Sequence, residues 1–381
     1  MNLLELYDKL EKLVFKLPAP LQKPILHEIT PIKNLFLCRR PPRLVLLGEG
    51  GETKAAVMNA LFGAEIISPG KSSTERLGWH DLAKARRGVL RILDARPPTP
   101  LNVIKKALAT EPADVFLFLR SGSAVDNHAA GGLDFSVQVM ELAARREERS
   151  GGIIGVLVAS GGENIEAERD ELRTSLHARA VLSERLRSIF CIPAGLLFDA
   201  GGALTPDARK ALEPLGEAIL EELPENARLE MARLSGVRSV QKRLAQVLVN
   251  SAVAISTAIG AQPIPLADLP ILLSLQVALV SGIMYVSGRE LSARLAGEFI
   301  GALGANLGAG LALREGSRAL LKFFPGWGNA ISGAIAGAGT YAIGKAATAY
   351  FIEGISLKDA RRLFQRSKAG VLKEGSRGEP A

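Results

Sequence analysis

The sequence has few of the residues that build metal, redox and nucleophilic sites. Its two cysteines, Cys38 and Cys191, lie far apart and predict neither a disulfide framework nor a metal-ligand pair. The four histidines show no ligand spacing, and none can be placed with a serine or cysteine as the base of a nucleophile. We therefore predict neither a zinc centre nor a catalytic triad. The low cysteine content fits a reducing cytosol.

Aromatic residues are also scarce, at 5% of the 381 residues. The hydrophobic 48% therefore comes mainly from Ala, Leu, Val and Ile, a composition that suits α/β folds and close-packed helices. The formal net charge of +8 permits attraction to nucleic acid or to anionic lipid. Because basic residues are not interleaved with aromatic ones, we predict membrane lipids as the partner and expect no DNA binding.

Charge is missing from a long stretch in the second half of the chain. Between residues 244 and 288 the one charged residue is Asp268, within a proline-rich break at 262–270. Three apolar segments, 244–267, 269–288 and 323–344, reach the length of about 20 residues that a membrane-spanning helix needs. Basic residues flank them as the positive-inside rule expects. The pattern predicts a membrane hairpin, or alternatively a soluble bundle whose helices bury one another.

A glycine-rich stretch near residue 50 has the order expected of a phosphate-binding loop. An apolar run at 44–47 predicts a buried strand, a glycine-rich turn covers 48–53, and a helix pattern covers 55–62. The backbone N–H groups of such a loop form an anion nest, and the helix N-terminus adds its positive end. Lys54 would reach the terminal phosphates of a bound nucleotide.

The loop departs from the pattern G-x-x-x-x-G-K-[ST] at two positions. Gly48 and Lys54 are in place, but Thr53 replaces the second glycine and Ala55 replaces the Ser or Thr. A β-branched residue does not easily adopt positive φ, and the methyl group of Ala55 cannot coordinate Mg²⁺. By itself the stretch is more typical of an ordinary glycine turn between a strand and a helix, and the residues that follow it favour the phosphate-binding loop.

The region from residue 43 to about 222 alternates strands and helices. Further strands are predicted at 89–94, 113–119, 152–158 and 188–193, and helices at 135–146, 165–180 and 206–223. Continuous apolar strands between helices predict a doubly wound, mostly parallel sheet in an α/β fold. Ligands of such sheets bind at the carboxyl ends of the strands, where the glycine-rich loop lies.

Composition divides the chain into four parts. We predict an N-terminal helical arm at 1–42, the α/β domain at 43–223, an all-α, Gly-rich and apolar domain at 224–357, and a basic tail at 358–381. Glycines four residues apart occur at Gly297/Gly301, Gly304/Gly308 and Gly333/Gly337. Such spacing lets helices approach closely in a bilayer or in a soluble pair, and would also permit a homo-oligomer.

These features together resemble an Era-like GTP-binding domain of the Ras-related P-loop class, followed by a membrane-associated domain of unknown function found behind bacterial G domains. Gly48, Gly51 and Lys54 match the start of the family's loop, and N-A-L-F-G at 59–63 matches its end in register. The segments 263–270 and 337–344 resemble the second domain. The resemblance covers residue 43 to the end and implies a P-loop GTPase sheet.

The resemblance also implies a nucleotide site, with GTP and Mg²⁺ as cofactors. Thr74 falls in the family's first switch, where a threonine closes on Mg²⁺, and Asp94 falls at the first position of D-x-x-G. From the residues alone, Thr74 could be an ordinary loop residue and Asp94 a strand-end turn residue. The implied nucleotide-binding residues are Gly48, Gly51, Glu52, Thr53, Lys54, Ala55, Ala56, Thr74 and Asp94, with Thr74 and Asp94 also at the metal.

Two further positions depart from the family. Pro97 replaces the glycine of D-x-x-G, and A-S-G-G at 159–162 stands where N-K-x-D reads guanine. We therefore predict a GTPase-related membrane protein with weak or absent GTP binding and hydrolysis, acting as a nucleotide sensor or a structural module. The alternatives are a non-catalytic scaffold in soluble helical form and an ATP-binding module. The predicted location is the cytoplasmic side of the inner membrane, membrane-associated or multi-pass.

Overall fold

The computed structural model divides the chain into two compact units. The sheet unit covers Arg40–Val240, and the helical unit covers Met1–Arg39 with Gln241–Ala381. The boundaries of the four predicted parts stay predictions. The structure describes residues 12, 14–15, 19, 22–23, 25–27, 39–48, 52–62, 78–84, 88–97, 99–122, 129–144, 151–159, 165–197, 199, 205, 208–261, 268–304 and 327–375.

The sheet unit contains six strands in the order β2-β3-β1-β4-β5-β6. All neighbouring strands are parallel except β2 and β3, which are antiparallel. This mostly parallel sheet, followed by a helical region, confirms the predicted fold class. The strands are β1 (Arg43–Gly48), β2 (Trp79–Lys84), β3 (Gly88–Asp94), β4 (Val115–Ser121), β5 (Gly152–Ala159) and β6 (Leu186–Pro193).

Helices cover both faces of the sheet because the central strands are apolar on both sides. Val45 and Leu47 pack with one helical layer, while Leu44 and Leu46 point to the other face and are equally buried. The helices of this unit are α1 (Glu52–Phe62), α2 (Leu101–Thr110), α3 (Ala129–Ala144), α4 (Ile165–His177), α5 (Ala180–Ser183), α6 (Ala194–Leu197), α7 (Ala208–Ala211), α8 (Glu213–Glu222) and α9 (Glu225–Ser235). Helices α2 to α5 share the core of Val45, and α1, α8 and α9 contact β4, β5 and β3.

The structure differs from the predicted element list at several places, including the following. Strand β2 and helix α2 were not predicted, because β2 is an antiparallel edge strand of mixed polarity and α2 is a short amphipathic helix. The predicted single helix at 206–223 is broken between α7 and α8 near Leu212, where Pro214 lacks the N–H that would continue it. The antiparallel edge is held by Arg91, which lies opposite Asp81 and donates to it at 2.6 Å. This hydrogen bond lowers the pKa of Asp81.

The amino end of the sheet is joined by one buried carboxylate. Asp114, immediately before β4, accepts from Arg40 Nη1 at 2.7 Å and Nη2 at 2.6 Å. The same carboxylate accepts the backbone N–H of Arg43 at 2.9 Å, so it ties the entry of β1 to that of β4. A bidentate, charge-assisted contact of this kind fixes the register of the two central strands.

The helical unit is built from α10 (Arg238–Gly260), α11 (Asp268–Val286), α12 (Ala293–Ala302), α13 (Trp327–Thr348), a π-helical turn (Ala349–Glu353) and α14 (Leu357–Gly375). Helix α10 begins in the sheet unit and continues into this one. In the predicted N-terminal arm, the described helical residues include Val14 and Ile25, both buried. Arg39, at the end of that arm, places its guanidinium carbon 4.8 Å from the centroid of the Tyr285 ring in α11.

The described helical residues of the three predicted membrane segments belong to α10, α11 and α13. Among the described residues, one helix, Arg238–Gly260, is long and apolar enough to cross a bilayer, with a mean hydropathy of 1.2 and half of its most apolar stretch buried. A core helix of a soluble protein has the same properties, and Ile271–Val286 is apolar but shorter. Membrane insertion therefore stays a prediction.

Polar residues of the apolar helices meet inside the unit. The hydroxyl oxygens of Ser256 in α10 and Thr340 in α13 lie 2.8 Å apart, and Gln276 of α11 donates to Thr340 at 3.3 Å. Ser256 and Thr340 are fully buried. Because buried polar groups need partners, this network requires the three helices to pack in one register.

One of the predicted glycine pairs makes a close helix contact. A Cβ atom at Gly333 would lie 2.8 Å from the backbone oxygen of Thr257 in α10, and one at Gly337 would lie 2.3 Å from the Thr257 hydroxyl. Around Gly297 and Gly301 there is open space instead. Gly304 adopts a φ of +70° beside Arg361, and Gly308 lies outside the described residues.

We predict that Gly333→Ala destabilises the protein by about 1–3 kcal/mol, because the added methyl group overlaps a backbone atom that cannot rotate away. Gly339 in the same helix has open space where its Cβ would be, so Gly339→Ala is the matched control. The control should stabilise α13 by up to about 1 kcal/mol through helix propensity. Urea unfolding of both variants measures the difference, and equal effects would contradict the close α10–α13 contact.

Candidate functional site

The candidate site lies at the carboxyl edge of the sheet, where β1 ends at Gly48. This residue has a φ of +87°, and a Cβ atom here would lie 2.3 Å from the backbone oxygen of Leu119 in β4. No other residue fits without moving a central strand. The N–H of Gly48 donates to the Ser136 hydroxyl of α3 at 3.3 Å, and that hydroxyl donates to the Gly132 oxygen at 2.6 Å. Gly48 is therefore required by the packing of β1 and β4, whether or not a nucleotide binds.

Helix α1 starts four residues after β1, so its N-terminus lies at the same edge. Glu52, Thr53 and Lys54 form its first turn, and Gly51 lies outside the described residues. Ala55 and Ala56 are buried. The position at which P-loop enzymes offer a hydroxyl to Mg²⁺ is thus a methyl group packed in the protein interior.

Asp94 is the last residue of β3 and lies opposite Leu46 of β1. Its carboxylate accepts two hydrogen bonds from Arg96, from Nε to Oδ1 at 2.6 Å and from Nη2 to Oδ2 at 2.7 Å. The two side chains are only 9% and 5% exposed. The guanidinium fork matches the carboxylate in the bidentate arrangement that gives the strongest pairing.

A tight turn holds Arg96 in this position. The N–H of Thr99 donates to the carbonyl oxygen of Arg96 at 2.9 Å, closing a four-residue turn. Pro97 occupies the second position of that turn, where its fixed φ is favoured. Pro97 therefore lies in the turn that directly follows the Asp94–Arg96 pair.

Mg²⁺ does not fit the described part of this site. A metal held by Asp94, directly or through water, would need a carboxylate oxygen that already accepts from a guanidinium, and it would lie beside that cation. Ala55 offers no oxygen, and Pro97 has no N–H for a γ-phosphate. Thr74, the other predicted metal ligand, lies outside the described residues.

The neighbouring strand ends carry side chains that the sequence analysis did not single out. Gly122, just after β4, donates its N–H to the Val158 oxygen at 2.9 Å. A Cβ atom at Gly122 would lie 2.1 Å from Glu168 Oε2, so this carboxylate of α4 lies over the turn. β5 ends at the buried Ala159, and the rest of the A-S-G-G segment is not among the described residues.

The described part of the chain gives little support for a metal centre or a reactive cysteine. It contains no group of three His, Cys, Asp or Glu side chains that could hold a metal ion. Cys191 in β6 is half-buried, and burial raises the pKa of its thiol, which disfavours the reactive thiolate. A shallow groove between α2 and α3 contains none of the predicted nucleotide-binding residues and is lined by Leu101, Asn102, Lys105, Gln138, Glu141 and Leu142.

Comparison with protein-family models finds no match, and comparison with curated proteins finds none either. Among solved structures, this chain is similar to Era in complex with MgGDPNP and nucleotides 1506-1542 of 16S ribosomal RNA. The identity is 17%, the match covers 60% of this chain and 70% of that chain, and the TM-score is 0.31. The fold class follows from the strand order and direction of the sheet itself.

Proposed function

We propose that the chain is a membrane-associated pseudo-GTPase, which keeps the sheet of a G domain as a structural module and does not run a nucleotide cycle. The observation that carries this proposal is the buried Asp94–Arg96 pair at the carboxyl edge of the sheet. In a nucleotide-dependent switch, the γ-phosphate and its Mg²⁺ order the loops at this edge. Here a cation covalently attached to the chain occupies the equivalent carboxylate.

Three positions support the proposal, because none of them offers the free group that binds Mg²⁺ or phosphate in an active P-loop enzyme. Catalysis of phosphoryl transfer depends on a held Mg²⁺ and on donors aimed at the transferred group. Ala55 lacks the metal-binding hydroxyl, Asp94 is engaged by Arg96, and Pro97 lacks the N–H donor. Each change alone could weaken a nucleotide site. Together they replace contacts to Mg²⁺ and to the nucleotide by contacts within the protein.

The membrane part of the proposal rests on charge distribution. Residues 241–381 contain fifteen Lys and Arg against eight Asp and Glu, so nearly all of the net charge of +8 belongs to this part. In the described residues, the exposed basic side chains include Lys345 of α13 and a row on α14 formed by Lys358, Arg361, Arg362 and Arg366. Basic clusters of this kind are attracted to the anionic cytoplasmic leaflet. We therefore place the protein at the cytoplasmic side of the inner membrane.

Nucleotide binding tests the proposal. Equilibrium dialysis of labelled GTP and ATP, with and without Mg²⁺, should give dissociation constants of about 1 mM or weaker, with no gain from Mg²⁺. The double variant Thr53→Gly, Ala55→Ser should stay Mg²⁺-independent, because Arg96 still engages Asp94. Adding Arg96→Ala to it should introduce Mg²⁺-dependent binding. Tight, Mg²⁺-dependent binding of GTP by the unmodified protein, with preference over ATP, would contradict the proposal.

The stability of the Asp94–Arg96 pair gives an independent prediction. Arg96→Ala should lower the free energy of unfolding by about 3–5 kcal/mol, because it leaves a buried carboxylate without its partner. The double variant Asp94→Leu, Arg96→Met should recover most of this loss, since an apolar pair of similar volume is often as stable as a buried ion pair. Arg179→Ala, which breaks the exposed pair with Asp134 in the same unit, is the control and should change little.

Urea unfolding, checked by circular dichroism, measures all three variants. A loss in Arg96→Ala no larger than that in Arg179→Ala would mean that Asp94 does not depend on Arg96. Such a result would remove the physical basis for a permanently occupied carboxylate.

A further inference from the structure

The helical unit contains a cluster of three aromatic rings around its π-helical turn. Phe299 of α12 lies 5.2 Å from Tyr350 and 4.9 Å from Phe351, and the two turn residues are 4.9 Å apart, ring centroid to centroid. The wider π-helical turn lets two consecutive side chains contact the same ring. Single π-helical turns within α-helices are often found at functional sites.

Arg289 covers this cluster from outside. It follows the end of α11, where Gly288 turns the chain with a φ of +89°. Its guanidinium carbon lies 4.9 Å from the Phe351 centroid and 5.9 Å from the Tyr350 centroid. The residue is exposed, and no described residue accepts a hydrogen bond from its guanidinium.

This arrangement suits the recognition of a phosphate group. Stacking on the rings restricts the planar guanidinium while its N–H edges stay open to solvent. A restricted guanidinium loses less freedom when it binds, and its fork matches two phosphate oxygens at once. A lysine at the same place would keep the charge but lose the paired geometry.

The acidic side chains next to the cluster are already engaged. Glu353, at the end of the π-helical turn, pairs with Lys242 at 2.7 Å, and Asp359 accepts from Ser356 at 2.7 Å. Helix α14 contacts the π-helical turn and carries the exposed basic row Lys358, Arg361, Arg362 and Arg366. The cluster thus lies in surroundings that favour a negatively charged ligand.

We propose that Arg289 binds the phosphate of an anionic phospholipid headgroup, supported by the basic row of α14; this inference rests on the proposed membrane association. Two exposed leucines favour a lipid over a soluble phosphate. Leu357 is 40% exposed beside Lys358 of the basic row, and Leu295 in α12 is 51% exposed, so exposed apolar and basic side chains occur together as at a membrane interface. Single-stranded nucleic acid is disfavoured, because Arg289 already lies over the rings of Tyr350 and Phe351 on which a base would stack.

Vesicle co-sedimentation tests this assignment with two charge-conserving variants. Arg289→Lys keeps the charge and removes the fork, and Arg294→Lys makes the same change on an exposed arginine of α12 that contacts no ring. With vesicles of phosphatidylglycerol and phosphatidylcholine in equal parts, Arg289→Lys should lose roughly tenfold in affinity, the effect of one charge-assisted hydrogen bond. Arg294→Lys should bind as the unmodified protein does. Cooperative thermal unfolding confirms that both variants are folded.

The other outcomes overturn the assignment in distinguishable ways. Unchanged binding in Arg289→Lys, with clear binding by the unmodified protein, would show that diffuse charge suffices and would leave the membrane association intact. Failure of the unmodified protein to bind anionic vesicles better than pure phosphatidylcholine would remove the membrane association itself. Inorganic phosphate that raises the Tm through Arg289, without vesicle binding, would indicate a soluble anion. Tighter binding of a single-stranded RNA oligonucleotide than of vesicles would indicate nucleic acid.

Discussion

The carboxyl edge of the sheet depends on the ion pair between Asp94 and Arg96. A carboxylate that ends a central strand is nearly out of contact with water, so it needs a cation and hydrogen-bond donors close by. Arg96, two residues after Asp94, supplies both the cation and the donors. A turn closed by the N–H of Thr99 follows directly. Because this charge is balanced within the protein, the other described residues of the edge can be explained by packing alone. Gly48 is required by the Leu119 backbone, and Ala55 is part of the core.

The helical unit uses the complementary arrangement, with polar contacts inside and charge outside. Ser256, Thr340 and Gln276 pair within the apolar interior, and Gly333 lets α10 and α13 approach closely. These contacts give the three polar side chains partners within the protein. Arg289 and the basic row of α14 are exposed on the surface of the unit. The unit therefore combines the packing of a helical bundle with a surface suited to an anionic partner.

Much of the fold could be predicted from the sequence. The central strands β1, β4 and β5 contain long buried apolar runs, and such runs are read directly from the sequence. The edge strand β2 pairs on one side only and is of mixed polarity, so its composition gives no comparable signal. At the candidate site, Gly48 and Asp94 lie at strand ends, as the sequence indicated, while the pairing of Arg96 with Asp94 was not predicted. The nucleotide-binding roles of Gly48 and Asp94 stay predictions. Residues two apart in an extended segment share a face, so D-x-R-P could have indicated the pair. Gly51 and Thr74 lie outside the described residues, and their roles stay predictions.

The central claim is that the carboxylate of Asp94 is not available to a divalent metal. The most direct measurement uses Mn²⁺, which prefers the same oxygen ligands as Mg²⁺ and gives a paramagnetic resonance signal when free in solution. Titration of the protein with Mn²⁺ in the presence of GTP should leave the signal identical to that of Mn²⁺ and GTP alone. Arg96→Ala should reduce this signal, because it frees the Asp94 carboxylate to bind the metal. A signal reduced by the unmodified protein and restored by Asp94→Asn would show that the metal reaches Asp94, and would contradict the account.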